Sequence, residues 1–462
     1  MNITKKLAQF VYETKYEDIP GYALLVERKS ILDNIGIISG GADGDGCREF
    51  VEYAEEAAAG GRGEATVLGY GKKLPAIWAA FANASMVMAL DFSDTSATAT
   101  IHPNTSTFAV ALALSEKLGG VSGKDFLTAM CVGSEVACRL ARAAVSSRFA
   151  KYGFYMPPVF TSFGATAAAC KLLGLSEEQI ISAWSLNLSQ YTCSSELQKN
   201  KETPIRSIRE AFGAKAAMSS ALLAQKGIKG YKDPFEGLQG FYLAYFQNDY
   251  DPEPVLAGLG EDWECAKLIF KPWPCCMGNH GCINAALNIM KEHKLDLNEI
   301  AEIHAEVPTV AQAVLIPEED KKRPKNAINA KYSIPFTVST ALIDGNVTLD
   351  SFDDDKLTRS DVLALAEKFS YELNDEWDKS VKMKTGGRIV ITMKDGSSYE
   401  NTVAETLGNP ENPMSMQDLI AKFTSCMAKS AQPKDAEYAA MVADHVMNLE
   451  LIEDMRGLGN IL

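Results

Sequence analysis

Small and apolar residues recur every three or four positions through most of the first 262 residues of this 462-residue chain. The pattern is clearest in "GKDFLTAMCVGSEVACRLARAAVSS" and "REAFGAKAAMSSALLAQKG". That spacing predicts α-helices, and alanine on nearly every face lets such helices pack closely against one another. Ser176 before two glutamates predicts a helix start, and Gly227 predicts a helix end. We therefore expect the first part of the chain to be an all-α bundle.

The pattern changes after "DPEPVLAGLGEDWECAKLIFKPWPCC", a segment rich in proline and glycine. "AEIHAEV" alternates as a strand does, and "GRIVITMKDGSSYENTVAE" predicts a hairpin with its turn at Asp395-Gly396. A helix in "TRSDVLALAEKF" and a strand near "SYELND" lie between them. Residues 263–402 are thus predicted to form a smaller α+β domain, inserted in a large all-α domain of residues 1–262 and 403–462. The predicted fold class is mainly α.

The bulk composition excludes several classes of function. A formal net charge of −15 argues against nucleic acid as a partner, since phosphate binding depends on clustered Lys and Arg. No apolar run approaches the ~20 residues of a membrane span, and the N-terminus lacks the apolar core of a signal peptide. We expect a cytoplasmic protein that does not bind membranes. The ten cysteines include no C-x-x-C pair, so no metal site is predicted.

Polar residues gather first between Asp91 and Ser106, inside an otherwise apolar region. If this piece is helical, Asp91 and Thr95 share one face because they are four residues apart. His102 precedes a proline, which predicts that it lies on a turn. Asn104 or Thr105 can then cap the next helix. These groups either satisfy helix ends only or form part of a site.

A second gathering lies in "FKPWPCCMGNHGCINAALNIM". Lys271, a vicinal cysteine pair and His280 occur within ten residues of one another at a predicted domain boundary. Such a set is typical of a site lining, but His280 can equally be a helix cap. Cys276 can act as a nucleophile only if a neighbouring cation lowers its pKa, and inert packing is the alternative.

Two arginines precede an alanine-rich helix in "KNKETPIRSIREAFG". Arg206 and Arg209 can form a carboxylate clamp, because guanidinium offers two parallel donors. The alternative is a solvated basic turn.

Six stretches, in their order along the chain, resemble the MmgE/PrpD family: "TVLGYGKKLPAIWAAFANA", "LDFSDT" followed by "HPNTSTFAVALALSE", "GFYMPPVFTSFGATAAACKLLGLSEEQ", "AKAAMSSALLAQKGIKG", "FKPWPCCMGNHGCINAAL" and "AKYSIPFTVSTALIDGNV". That family includes 2-methylcitrate dehydratase, cis-aconitate decarboxylase and iminodisuccinate epimerase. The resemblance implies a large all-α domain built from both termini and a smaller α+β lid domain. It also implies a homodimer that needs no organic cofactor.

The resemblance also implies which residues form the active site. The positions that match the family's catalytic residues are Asp91, Thr95, His102, Lys271 and His280. Four other positions depart from the family pattern. Tyr155 and Cys276 replace histidines, Arg206 replaces a lysine, and Phe336 replaces a tyrosine. We assign Tyr155 a catalytic role and the other three a role in substrate binding.

The implied chemistry takes place at a carbon next to a carboxylate. Lys271 and Arg206 would stabilise the dianionic intermediate that proton loss creates there. The base would be His102, oriented by Asp91, or neutral Lys271, and Tyr155 would be the acid. Because this chemistry needs His102 and Lys271 at one substrate, we expect the two groups of polar residues to face one cleft.

Three functions remain open for the chain. The first is a cofactor-independent lyase for a di- or tricarboxylate or related hydroxy acid, most simply a dehydratase. The second is an isomerase or epimerase that uses the same cleft. The third is a non-catalytic binding protein. In each case the partner is a small carboxylate rather than nucleic acid or membrane.

Overall fold

The structure, a computed structural model, describes residues 2–144, 151–198, 200, 203–380 and 383–462. It divides into two compact units, one formed by Met1–Phe270 with Ser415–Leu462 and the other by Lys271–Met414. Helices predominate, which confirms the mainly α fold class. Among the described helices, none is both long enough and apolar enough to cross a membrane.

The N-terminal part of the first unit contains short two-stranded pairings among many helices. The helices are α1 (Ile3–Glu13), α2 (Gly21–Gly40), α3 (Cys47–Ala57), α4 (Ala76–Met86), α5 (Asn104–Leu118), α6 (Gly123–Arg142), α7 (Pro157–Leu172), α8 (Glu177–Leu188), α9 (Ile205–Ile208), α10 (Glu210–Gln225), α11 (Phe241–Phe246) and α12 (Glu253–Leu256). The strands are β1 (Ala65–Val67), β2 (Lys72–Leu74), β3 (Thr95–Ser96) and β4 (Leu268–Ile269). Strand β1 pairs with β2, and β3 with β4, both antiparallel.

The second unit packs helices around one four-stranded sheet. Its helices are α13 (Met277–Glu292), α14 (Glu318–Lys322), α15 (Ala327–Lys331), α16 (Ile334–Asp344), α17 (Asp354–Leu357), α18 (Ser360–Ala366) and α19 (Asp375–Asp378). Its strands are β5 (Ile300–Pro308), β6 (Phe369–Asn374), β7 (Gly387–Met393) and β8 (Ser398–Val403). The strand order is β6-β5-β7-β8, with only the β5–β6 pair parallel. The β7–β8 hairpin turns at Asp395-Gly396, as predicted.

The chain then returns to the first unit as α20 (Met416–Ala428), α21 (Ala436–Met447) and α22 (Arg456–Ile461). Helix α20 packs against α2. The unit boundaries fall after Phe270 and Met414 rather than after residues 262 and 402. Pairing of β4 with β3 keeps residues 263–270 in the first unit. After β8, the Leu407 N–H donates to the Asn284 side chain of α13, which keeps that segment in the second unit.

Small residues let the helices of the first unit approach closely, as their sequence predicts. Helix α7 packs against both α5 and α6, and α10 packs against α4, α7 and α8. Where α6 meets α7, a Cβ on Gly133 would lie 2.8 Å from the carbonyl oxygen of Gly164. No L side chain fits at that distance without a shift of the backbone. The helices around the site are therefore held by close backbone packing.

Candidate active site

The polar segment between α4 and α5 is irregular rather than helical. Asp91 has a φ of 53°, in the left-handed region, and Thr95 lies in β3 opposite Ile269 of β4. Aspartate tolerates this conformation because its short side chain can hydrogen-bond locally. The helical arrangement considered for Asp91 and Thr95 is therefore wrong, although both residues are buried.

His102 lies on the turn before α5, as its position before a proline predicts. Its Nδ1 is 2.8 Å from the carbonyl oxygen of Asp94 and 3.2 Å from Oγ1 of Thr95. A carbonyl oxygen can only accept, so Nδ1 carries the proton in this hydrogen bond. In the neutral ring, Nε2 then holds the lone pair. The half-buried imidazole therefore has its proton-accepting nitrogen at Nε2 when neutral.

A buried polar network fixes the Asp94 main chain that holds this histidine. The Ser30 hydroxyl donates to Asp94 Oδ2 at 2.5 Å, and the Asn104 amide donates to Ser30 Oγ at 2.8 Å and to Asp94 Oδ2 at 3.2 Å. Burial raises the pKa of Asp94 to about 7; the Ser30 hydrogen bond opposes this effect and the Asp33 charge adds to it. The Asn104 side chain thus donates to Asp94 instead of capping α5, so the predicted cap is wrong.

Thr105 does not cap the helix either. Its hydroxyl lies 2.8 Å from the His102 carbonyl oxygen and 3.2 Å from Oε2 of Glu210. Ser106 also donates to that carboxylate oxygen, at 3.1 Å. Burial raises the pKa of Glu210, while the Arg209 charge lowers it. The segment that carries His102 is therefore tied to the start of α10.

The structure bears on one of the two sequence interpretations of the arginine pair, the solvated basic turn. Arg206 is half-buried in α9, whereas Arg209 is almost fully buried and its guanidinium donates to the Arg206 carbonyl. The Arg209 guanidinium carbon lies 5.3 Å from the ring centroid of Tyr155, within range of a cation–π interaction. Arg209 Nε is 3.6 Å from Oε1 of Glu210. A solvated basic turn is therefore wrong for Arg209.

In the second unit, Lys271 is the first residue and is only 1% exposed. His280 is fully buried and lies past the N-cap residue of α13, which is Cys276, so it is not a cap. Its Nε2 is 3.3 Å from the carbonyl oxygen of Cys275, and its ring meets the edge of Trp273 with centroids 5.3 Å apart. His280 is thus held by its neighbours on the Lys271 segment.

The other two residues assigned to substrate binding lie near this segment. Cys276 is half-buried, and its N–H donates to the Lys331 carbonyl at 3.0 Å. Phe336 is buried in α16 and belongs to the same apolar cluster as Trp273 and Cys275. Within the second unit, Phe336 therefore belongs to the cluster that contains Trp273, and His280 contacts that tryptophan.

Each unit thus assembles its own group of candidate residues. In the first unit, contacts run from Thr95 and His102 to Tyr155 by way of Thr105, Glu210 and Arg209. Sequence reasoning missed the roles of Asp94 and Glu210. A charged residue inside an otherwise apolar alanine-rich pattern is the signal that could have found Glu210.

Both units match one family. Residues 5–253 match the MmgE/PrpD N-terminal domain, and residues 273–447 match the MmgE/PrpD C-terminal domain.

The chain belongs to the MmgE/PrpD family.

Curated MmgE/PrpD relatives resemble this chain along most of its length. A cis-aconitate decarboxylase-like protein of Aspergillus oryzae is 28% identical, and the match covers 99% of this chain and 96% of that protein. Cis-aconitate decarboxylase of Aspergillus terreus is 26% identical, with 100% and 96% covered. The 2-methylcitrate dehydratase of Escherichia coli K12 is 24% identical, with 72% and 71% covered. These MmgE/PrpD relatives are lyases, and they support an enzyme with a lyase-type activity.

Proposed function

We propose that this enzyme is a cofactor-independent lyase that removes water from a di- or tricarboxylate or a related hydroxy acid. The observation that carries the proposal is the hydrogen bond from His102 Nδ1 to the Asp94 carbonyl. It leaves Nε2 of the neutral imidazole as the basic nitrogen. A base of this kind is what removal of a proton next to a carboxylate requires.

Lys271 and Arg206 supply the positive charge in this proposal. Loss of the α-proton puts a second negative charge on the carboxylate, and fixed cations stabilise that intermediate better than water does. Arg206 keeps its charge at any ordinary pH and so binds carboxylate without exchanging protons. Lys271 follows Ile269, the partner of Thr95, by two residues, which is about 7 Å of extended main chain. The family resemblance, in which Lys271 and His102 both match active-site positions, supports a shared substrate for these two residues.

The elimination needs an acid as well as a base. His102 Nε2 takes the α-proton, the carbon–oxygen bond to the leaving hydroxyl breaks, and Tyr155 gives that hydroxyl a proton so that it leaves as water. A carbon–carbon double bond forms, and the proton gained by His102 later returns to Tyr155 through solvent. Asp91, Thr95 and His280 complete the proposed catalytic group, and Cys276 and Phe336 line the substrate.

Decarboxylation is a second candidate, favoured by relatives that match nearly the whole chain and are named cis-aconitate decarboxylases. It needs the same cations, but the acid must deliver its proton to carbon. The departures at Tyr155, Arg206 and Phe336 argue against cis-aconitate and 2-methylcitrate themselves as the substrate. A tyrosine has an ordinary pKa of ~10, against ~6.5 for histidine, so it suits the role of an acid.

The test is a panel of di- and tricarboxylates and hydroxy acids incubated with purified enzyme in heavy water. The panel includes 2-methylcitrate and cis-aconitate. Appearance of an unsaturated acid by NMR supports the dehydratase, and released carbon dioxide supports the decarboxylase. Solvent deuterium in recovered substrate without net conversion would instead indicate an epimerase. Binding without exchange or conversion would indicate a non-catalytic protein.

We also propose a homodimer and a cytoplasmic location, which rest on the family resemblance and on the sequence. Light scattering of the purified chain tests the oligomeric state, and a monomer at micromolar concentration would contradict the dimer.

A further inference from the structure

Three potential metal ligands meet inside the first unit, although they are far apart in the sequence. Glu27 comes from α2, Cys131 from α6, and Cys265 from the 3₁₀ turn Glu264–Ala266. One carboxylate oxygen and the two sulfur atoms lie within 4.8 Å of one another. All three residues have no exposed surface. We propose that Glu27, Cys131 and Cys265 bind one zinc ion, with a water molecule as the fourth ligand.

The Glu27 carboxylate points to a bound cation independently of the sulfur atoms. Among the described residues, neither of its oxygens has a hydrogen-bond partner. Burial and the Asp94 charge raise the pKa of Glu27 well above its usual value, and the nearby Asn104 amide, whose own hydrogen bonds go to Ser30 and Asp94, opposes this effect. Leaving such a carboxylate buried and ionised is costly unless a proton or a cation compensates it.

The ligand chemistry selects the kind of ion. Two thiolates with one carboxylate favour Zn²⁺ over Mg²⁺ or Ca²⁺, which prefer oxygen ligands. Ligand atoms on one tetrahedral zinc ion lie about 3.5–3.8 Å apart, given bond lengths of about 2.0–2.3 Å. Because the ligand atoms lie within 4.8 Å of one another, they would have to move closer by no more than about 1 Å.

The elements that carry the ligands are held together around the site. The Cys265 N–H donates to Oε2 of Glu135 at 2.9 Å. Glu135 lies one turn after Cys131 in α6. Glu135 pairs with Arg139 at 2.5 Å. Arg139 in turn donates to four carbonyl oxygens of the segment that precedes Cys265, those of Val255, Ala257, Gly258 and Asp262. A metal ion here would join α2, α6 and the turn that leads into β4, and no step of the proposed reaction involves it.

Because the site is fully buried, the ion must enter as the chain folds. The full chain is therefore expressed in medium supplemented with zinc, or with cobalt as a spectroscopic substitute, and washed with chelator before elemental analysis. We expect about one metal ion per chain, and a thiolate-to-cobalt charge-transfer band in the cobalt form. The variants C131S and C265S should lose most of both signals, and E27Q should lower the metal content.

The matched control is C170S, because Cys170 is another buried helical cysteine and burial is the only cause that shifts its pKa. This variant should keep the full metal content. Metal below a tenth of an equivalent in the wild-type chain would overturn the proposal, even if the cysteine variants do not fold. Metal content unchanged in C131S and C265S would also overturn it. A mass lower by two hydrogens, from a Cys131–Cys265 disulfide in the purified protein, would overturn it as well.

Discussion

The Nδ1 atom of His102 lies 2.8 Å from the carbonyl oxygen of Asp94, while the Asp94 side chain accepts hydrogen bonds from Ser30 and Asn104. One residue therefore serves the site twice. Its carbonyl selects the tautomer of the histidine, and its buried carboxyl fixes that carbonyl in place.

Replacing His102 by glutamine should abolish the proposed base. Because general base catalysis contributes about 10²–10⁴-fold, turnover of the substrate found in the panel should fall at least ~100-fold. The melting temperature should change little, since the residue is half-buried. The control is H445Q, at an exposed histidine of α21, which should keep full activity. Equal loss in both variants would contradict the assignment.

Thr95 is expected to act as a positioning residue for His102. The variant T95V removes the hydroxyl 3.2 Å from Nδ1 and lets the ring rotate. Small misplacements of catalytic groups cost up to ~100-fold in rate, so kcat should fall while KM stays close to its original value. T95S restores the hydroxyl and should restore most of the rate. Failure of T95S to recover any activity would indicate that the threonine methyl group matters instead.

Lys271→Ala should remove a cation that stabilises the intermediate. Turnover should become undetectable, whereas loss of one side chain should cost no more than a few kcal/mol of unfolding free energy. Urea denaturation and the activity assay measure the two effects separately. Lys394, on the exposed end of the β7–β8 hairpin, provides the control variant K394A. Full activity in K271A would remove this lysine from the mechanism.

The raised pKa of Asp94 predicts how stability depends on pH. Below pH ~4 the carboxyl is protonated in both the folded and the unfolded chain. Between pH ~4 and about 7, the unfolded chain releases this proton while burial keeps it on the folded chain. The wild-type free energy of unfolding should therefore fall as pH rises through this window, by about 4 kcal/mol from this group.

The variant D94N cannot ionise and keeps the carbonyl that binds His102. Between pH 4 and 8, the free energy of unfolding of D94N should therefore rise relative to that of the wild type by about 4 kcal/mol. Urea denaturation of both proteins across that range measures the difference. Parallel pH profiles would show that Asp94 does not hold its proton in the folded chain.

The sequence predicts the fold better than it predicts the contacts within the site. Alanine-rich periodicity and the Asp395-Gly396 turn are local signals, and the structure confirms the helices and the hairpin that they predict. The turn at His102 is also predicted by a single neighbouring residue, Pro103. Signals of this kind depend only on residues close in the chain.

Contacts between distant segments could not be predicted in the same way. The sequence predicts Asn104 as a possible helix cap, but Ser30 and Asp94 offer it buried partners, and a buried hydrogen bond is stronger than one at an exposed cap. The approach of Glu27 to Cys131 and Cys265 depends on how three elements pack. No short sequence motif predicts that such distant residues come close together.

The central claim is that His102 moves a proton at a carbon next to a carboxylate. The most direct measurement is deuterium incorporation at that carbon, by NMR of substrate recovered from heavy water during partial conversion. We expect incorporation with the wild-type enzyme and a rate of incorporation at least ~100-fold lower with H102Q. Equal incorporation rates in the two proteins, or no exchange and no conversion of any carboxylate in the panel, would contradict it.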